Sequence, residues 1–194
     1  MTKRLFLTGP LVFALAFALA LAIPTHADTI YTATLLGSNE VPPTSSPATG
    51  FGTFTLNGNL FSINESFTGL VAPASAAHIH CCAPPGANAI VAVPFNTFPN
   101  TTSGTFNTTV DLSLAGTYDP GFITQEGGTV ALAEAGFIAA LNSGTTYANI
   151  HSTTFPGGEI RGQIASAVPE PSSLLLLGTG LIAATQVARR RVRA

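Results

Sequence analysis

Three histidines and one cysteine pair are the residues of this sequence whose types and spacing favour metal chemistry. His78 and His80 are two positions apart, and Cys81 and Cys82 follow directly. Because side chains alternate along a β-strand, both imidazoles and the Cys82 thiol would project from one face, and Cys81 from the other. If the strand carrying His151 lies beside this one, the three imidazoles form a zinc or copper site whose open position Cys82 can close.

A structural use of the same residues stays open at this point. The imidazoles can instead hydrogen-bond loop backbone and organise the edge of a sheet. Adjacent Cα atoms lie about 3.8 Å apart, which is below the usual disulfide range, so a bond between Cys81 and Cys82 would be strained. In an oxidising compartment the pair can still close, bind metal, stay reduced or bridge two molecules.

A second group of polar residues surrounds Arg161. Glu159 and Arg161 share one face of a predicted strand, and Glu40 lies in a loop followed by Val-Pro-Pro. The planar guanidinium engages a carboxylate through two parallel hydrogen bonds. We therefore expect Arg161 to bridge Glu40 or Glu159 and to tie the N-terminal loop to the last strand. Asn149 and Tyr147 are expected to satisfy buried backbone groups.

The elements that must position these residues are mostly short strands. Residues 147–152 and 160–164 alternate around the turn Pro156-Gly157-Gly158, and Asn57-Gly58-Asn59 marks a second hairpin. Residues 129–142 are rich in Ala and Leu at helical spacing. The pattern predicts a mainly β fold, an antiparallel β-sandwich or partly closed barrel with one short α-helix.

The N-terminus has the organisation of a secretory signal peptide. Lys3 and Arg4 precede the apolar run Leu5–Ile23, and Ala27 provides a small residue at a cleavage point for signal peptidase. Residues 1–27 are therefore predicted to be removed, leaving Asp28 as the first mature residue. An uncleaved membrane anchor is the alternative.

The C-terminus, residues 167–194, has three parts: Pro169-Glu170-Pro171, the apolar run Leu174–Ala188 and a cluster of arginines. Such a run is about 22 Å long as a helix, short for a bilayer core of about 30 Å. The arginines are expected to stay cytoplasmic, so the domain of residues 28–166 would be outside and transiently membrane-anchored. The tail resembles the PEP-CTERM sorting signal, which implies recognition and removal by an exosortase in Gram-negative bacteria, many of which make extracellular polysaccharide.

Removal of both ends leaves an acidic domain. Arg161 is its one basic residue against eight Asp and Glu, a formal charge of about −7. Nucleic-acid binding, which needs a basic face, is excluded. The composition is typical of a soluble surface outside the cell.

Four fragments of the mature domain together resemble the CHRD domain. They are LLGSNEVPP from Leu35, AHIH from Ala77, YANIHS from Tyr147 and PGGEIRGQI from Pro156, and the likeness extends over residues 29–164. The resemblance implies a β-rich extracellular module with no established catalytic activity among bacterial members. The chain departs from the family pattern directly after His80, where two cysteines and two prolines replace small, glycine-rich residues.

These observations predict an exported, non-enzymatic structural or binding component of the cell surface or extracellular matrix, with polysaccharide or matrix as a candidate partner. The alternative is a copper- or zinc-binding protein, with redox activity as one option. An enzyme acting on polysaccharide is a weaker third hypothesis, since no hydrolase, phosphate-binding or dinucleotide motif is present in the sequence.

Overall fold

The protein is represented by a computed structural model that describes residues 28–167. Eight strands form one sheet, and every neighbouring pair is antiparallel. The strands are β1 Thr29–Leu36, β2 Thr49–Asn57, β3 Leu60–Thr68, β4 Ala74–Cys81, β5 Ile90–Pro94, β6 Gly104–Asp111, β7 Thr146–Ser152 and β8 Ile160–Ser166. Their order across the sheet is β5-β4-β7-β8-β1-β2-β3-β6. The predicted signal peptide and sorting segment lie outside the described residues, apart from the first residue of the latter.

The sheet curls into a half-barrel. Phe95 follows edge strand β5 and Phe106 lies on edge strand β6, yet their ring centroids are 5.1 Å apart. This aromatic contact brings the two edges together on the core side, where each ring buries apolar surface. The predicted mainly β, antiparallel fold with one short α-helix is therefore confirmed, and the sheet takes the form of a partly closed barrel.

Both predicted hairpins are present. Strands β2 and β3 pair in continuous register around Asn57-Gly58-Asn59, and Gly58 has a φ of 57°. This conformation is unfavourable for residues with a Cβ atom and explains the glycine in the turn. Strands β7 and β8 also pair directly, with Asn149 opposite Arg161.

Two helices connect β6 to β7: α1 Pro120–Gln125 and α2 Val130–Ser143. Helix α2 begins where predicted, because the Thr129 hydroxyl accepts a hydrogen bond from the Leu132 N–H, and it ends at Gly144 with a φ of 68°. Helix α1 was not predicted, since its six residues are too few to show a helical period. No helix within residues 28–167 is long and apolar enough to span a membrane.

Within residues 28–167, the buried apolar side chains that form the core lie between Tyr31 and Ile164. Helix α2 closes one side of it, with Phe137 packing edge-on against Phe61 on β3 at 5.6 Å between centroids. Since these eight strands form one continuous sheet around a shared core, we expect residues 28–167 to fold as a unit. Loops 37–48 and 82–89 contact the outer face of β4, β7 and β8, which carries the candidate site.

Candidate metal centre

The three histidines lie on the outer face of the sheet. On β4, Ala77, Ile79 and Cys81 point into the core, so His78 and His80 project from the opposite face. Strand β7 pairs with β4 such that His78 is opposite Asn149, His80 opposite Tyr147 and Ala76 opposite His151. This register places the His151 imidazole diagonally beside the other two.

The imidazoles form a compact cluster. One nitrogen from each of His78, His80 and His151 lies within 4.8 Å of the corresponding nitrogens of the other two. In a tetrahedral zinc site with bonds of about 2.0–2.1 Å, neighbouring ligand nitrogens are about 3.4 Å apart. Binding of an ion therefore requires the widest pair to converge by no more than about 1.4 Å, a shift that side-chain rotation can supply.

Backbone carbonyls fix the tautomers of two rings. His80 Nδ1 is 2.9 Å from the Ala89 carbonyl, and His151 Nδ1 is 3.0 Å from the Pro156 carbonyl. Because a carbonyl can only accept, both Nδ1 atoms donate, and the lone pair of each ring is left on Nε2. This arrangement of a ligand imidazole anchored by a carbonyl is common around protein-bound metal ions.

Three ring nitrogens in the cluster are buried and have no hydrogen-bond partner among the described residues: His78 Nδ1, His80 Nε2 and His151 Nε2. An unpaired buried acceptor costs free energy, on the order of 1–3 kcal/mol. His80 is 8% exposed, so solvent compensates its ring poorly. An ion held by these three nitrogens would satisfy all of them at once.

The electrostatics of the cluster keep the rings neutral at pH 7. Burial lowers the pKa of His78 to about 4, with the His151 and His80 rings acting in the same direction and Asp119 opposing them. Burial also lowers the pKa of His80 and of His151, against the opposing effect of their backbone hydrogen bonds. A neutral imidazole is the form that binds a metal ion.

Cys82 does not join the cluster. A disulfide links its Sγ to Cys81, so no thiolate is available as a fourth ligand. Cys81 is fully buried, whereas Cys82 is exposed. Cys82 is therefore not the fourth ligand that the sequence suggested, and the candidate site consists of three histidines. Of the alternatives open to the two cysteines, the structure has the disulfide.

The contacts of Arg161 differ from the expected ion pair. Its Nε donates to the Asn39 carbonyl at 2.6 Å, and its Nη1 donates to Asn88 Oδ1 at 2.8 Å. Among the described residues, no Arg161 nitrogen lies within 4.0 Å of a Glu40 or Glu159 carboxylate oxygen. The tie between the N-terminal loop and β8 exists, but a backbone carbonyl provides it.

Glu159 makes a second tie. It is fully buried, and its Oε1 accepts from the Ser46 hydroxyl and from the Val71 N–H, both at 2.7 Å. The carboxylate therefore joins the start of β8 to two loops, including the N-terminal loop that Arg161 also holds. A backbone donor and a hydroxyl take the place of the expected guanidinium.

Glu40 and Asn149 lie together between these ties. Asn149 Nδ2 donates to Glu40 Oε2 at 3.4 Å, while Glu40 Oε1 and Asn149 Oδ1 have no partner among the described residues. Burial raises the pKa of Glu40 to about 7, although Arg161 and Asn149 act in the opposite direction. Asn149 thus contacts a carboxylate rather than the backbone groups expected of it.

Tyr147 links the histidine cluster to the residues around Arg161. Its ring stacks on His80 with centroids 4.7 Å apart and planes 4° from parallel, and the Arg161 guanidinium carbon lies 4.5 Å from its centroid. The Tyr147 hydroxyl accepts from the Ala89 N–H at 3.1 Å, on the residue whose carbonyl anchors His80. The bond to the Ala89 N–H is the backbone contact expected of Tyr147, whereas the sequence did not predict its contacts with His80 and Arg161.

Comparison with known protein families agrees with the architecture. The CHRD domain model matches residues 31–164, which include parts of all eight strands. The model of the PEP-CTERM protein-sorting motif matches residues 167–192 and implies export, C-terminal anchoring and processing by exosortase-type machinery. No curated protein and no solved structure matched the chain. With more than half of its length matched, the chain belongs to the CHRD domain family.

Proposed function

We propose that this exported CHRD domain is a non-enzymatic binding module of the cell surface or extracellular matrix that holds one zinc or copper ion. His78 Nδ1, His80 Nε2 and His151 Nε2 are the proposed ligands. The observation that carries the proposal is that three imidazoles cluster and that each has one buried nitrogen without a hydrogen-bond partner among residues 28–167. Three imidazoles leave a coordination position for water or a further ligand.

The surroundings of the cluster support binding rather than a purely structural use. In a structural use, each polar nitrogen of a buried imidazole would be expected to have a partner. Here the Ala89 carbonyl pairs with only one nitrogen of His80, and the Pro156 carbonyl pairs with only one nitrogen of His151. Two of the rings are on β4 and one on β7, so regular strands hold all three ligands.

The route to the surface forms part of the proposal. Signal peptidase would cleave after Ala27, and exosortase-type processing would act at Pro169-Glu170-Pro171. The arginine cluster would remain cytoplasmic while the anchor is intact. The ion would then be bound outside the cell, where no cytosolic thiol pool competes for it.

Calorimetric titration with metal ions tests the proposal directly. The segment 28–167 is purified without chelator or affinity tag, stripped, and titrated separately with ZnCl₂ and CuSO₄ by calorimetry. We expect one ion per chain, with His78→Gln and His151→Gln each weakening the affinity by at least about tenfold. Asn107→Ala, an exposed change on β6, is the matched control and should bind as the original chain does. Substoichiometric binding of both ions, or affinities unaffected by the histidine variants, would exclude the site.

The choice between the two ions determines whether a redox role follows. Three imidazoles suit both zinc and copper, but zinc has no redox chemistry. If the site binds copper more tightly than zinc, bound Cu(II) should give an electron paramagnetic resonance spectrum with nitrogen hyperfine structure. Loss of that spectrum on adding ascorbate, and its return in air, would establish redox activity. A competition in which zinc displaces copper would assign a static role.

A further inference from the structure

The sheet has two edge strands, and the chain covers only one of them. Strand β5 is five residues long and ends at Pro94. Helix α1 packs against it, and Asp119 donates its N–H to the Ala92 carbonyl at 2.9 Å. A short strand, a proline and a covering segment are means by which proteins stop an edge from pairing with another chain. The β5 edge is therefore protected.

Edge strand β6 has none of these protections. It is eight residues long, contains no proline, lysine or arginine, and pairs with β3 without a shift in register. Among the described helices and strands, β3 is the one that packs extensively against it. A long, regular and uncovered edge of this kind is a template for a further strand.

The backbone groups on the free side of β6 follow from the ladder. Leu112, directly after the strand, donates its N–H to the carbonyl of Asn59, directly before β3. Residues of an antiparallel strand direct their backbone groups alternately to either side. Even-numbered residues of β6 therefore bond to β3, and the groups of Thr105, Asn107 and Thr109 point away from it. No backbone group among residues 28–167 bonds to these three on the free side.

We propose that β6 pairs with the β6 strand of a second copy of this chain, in antiparallel orientation, with the two-fold axis at Asn107. Thr105 of one copy is then opposite Thr109 of the other, and the two Asn107 residues are opposite each other. Each of these pairs exchanges two backbone hydrogen bonds, which gives about six bonds across the interface. The symmetric contact uses the free edge of both copies and closes the assembly as a dimer.

The residues that flank β6 select this register. Moving the axis by one residue would bring either Ser103 or Asp111 into the paired stretch. Ser103 lies outside the strand. The Asp111 carbonyl already accepts from the Leu114 N–H at 3.2 Å and from the Thr117 hydroxyl at 2.6 Å. The register centred on Asn107 uses all three free residues and neither of the flanking ones.

The chemistry of β6 suits a second copy of itself. Its outer face pairs Thr with Thr and Asn with Asn, and directly opposed polar side chains of this kind support strand pairing. The strand's one charged residue, Asp111, lies at its end, so no like charges meet in the paired stretch. On the core-facing side, Thr108 and Val110 are only half-buried, and the second strand would cover them.

The size of the interface determines where the dimer forms. One strand pair buries less surface than the roughly 1,200 Å² at the lower limit of stable complexes, so association in solution should be weak. The sorting motif implies C-terminal membrane anchoring, which would hold copies in one plane at a high effective concentration. We therefore expect the dimer chiefly where the chain is anchored.

Amide hydrogen exchange of the unmodified, metal-free segment 28–167 tests the interface without any substitution. Between micromolar and millimolar concentrations, exchange of the Thr105, Asn107 and Thr109 N–H groups should slow, by about twofold when half of the chains are dimeric. The N–H groups of Phe106 and Thr108 bond to β3 at every concentration and are the internal reference. Sedimentation over the same range should show monomers and dimers without larger species.

A charge exchange on the two-fold axis tests the register. Asn107→Lys and Asn107→Asp each place like charges directly opposite, so each should weaken self-association by at least about tenfold. An equimolar mixture of the two variants should form a heterodimer at least as tightly as the original chain dimerises. Thr34→Lys adds a charge to an exposed position on the same face, far from the edge, and should leave self-association unchanged.

Three outcomes would overturn the proposal. A chain that stays monomeric at millimolar concentration would leave this edge to a strand of another protein. Self-association that both Asn107 variants leave unchanged would place the contact elsewhere, as would a mixture that fails to associate. The metal centre is tested separately, since no histidine lies on β6 and all of these measurements use the metal-free segment.

Discussion

Glu65 provides a test of how strongly the core of this domain disfavours an ionised side chain. Its side chain is fully buried on the core face of β3, and neither carboxylate oxygen has a partner among the described residues. Burial raises the pKa of Glu65 from 4.5 to about 8. The folded protein therefore retains a proton that the unfolded chain releases at lower pH.

The difference in the pKa of Glu65 between the folded and unfolded states sets how strongly the stability depends on pH. Between pH 4.5 and about 8 the folded state binds more protons than the unfolded state, so the free energy of unfolding falls as the pH rises. At 1.36 kcal/mol per pKa unit, the raised pKa of Glu65 accounts for up to about 5 kcal/mol over this window. That is a large share of the roughly 5–15 kcal/mol that stabilises a typical domain.

The perturbation is Glu65→Gln, which keeps the shape and removes the ionisation. Urea unfolding of residues 28–167, followed by circular dichroism, gives the free energy of unfolding of both proteins between about pH 5 and about pH 8. As the pH rises, we expect the free energy of unfolding of the variant to increase by several kcal/mol relative to that of the original chain. Glu40 and the histidines titrate in both proteins, so their contributions cancel.

A matched control is Asn64→Ser, which changes an exposed, uncharged side chain on the same strand, β3. Its stability difference should vary little with pH, since the substitution removes no ionisable group. If the difference for Glu65→Gln is equally flat, within about 1 kcal/mol, Glu65 is not held protonated by burial and the reasoning fails.

Three further changes test the positioning of the elements. Thr129→Ala removes the N-cap of α2 and should lower the free energy of unfolding by about 1 kcal/mol in urea titrations; no change would mean that the cap is replaced by water. Gly162→Ala places a Cβ against the Thr34 carbonyl of the neighbouring strand and should cost about 3 kcal/mol, measured in the same way; a neutral result would show that β1 and β8 can separate locally. Tyr147→Phe removes the hydroxyl that accepts from the Ala89 N–H and should weaken zinc affinity by several-fold in calorimetry without changing the stoichiometry; unchanged affinity would mean that this hydrogen bond does not position the adjacent imidazole.

Much of the local structure follows from the sequence because its signals are local. Asn57-Gly58-Asn59 between alternating segments fixes a hairpin, and Thr129 with Gly144 delimits the longer helix. The spacing of His78 and His80 places both rings on one face, since strand side chains alternate with a period of two. These features depend on residues close together in the chain.

The partners of the site residues depend on tertiary structure. The sequence could state only that His151 joins the cluster if its strand lies beside β4, and the order of strands decides that it does. Arg161 illustrates the limit: its charge and shape predicted a carboxylate partner, but loop 37–48 presents the Asn39 carbonyl instead. The conformation of a loop is set by packing at a distance, which residue type alone does not encode.

The sequence by itself determined the acidic, strand-rich character of the domain, the faces of its strands and the two histidines that share one of them. Tertiary structure alone decided that three imidazoles meet and that Cys82 is bonded to its neighbour instead of to that cluster. It also decided that Arg161 donates to the Asn39 carbonyl instead of to a carboxylate. The physical reason is that alternation fixes the direction of a side chain, whereas its neighbours across the sheet are fixed by the pairing and curl of strands far apart in sequence.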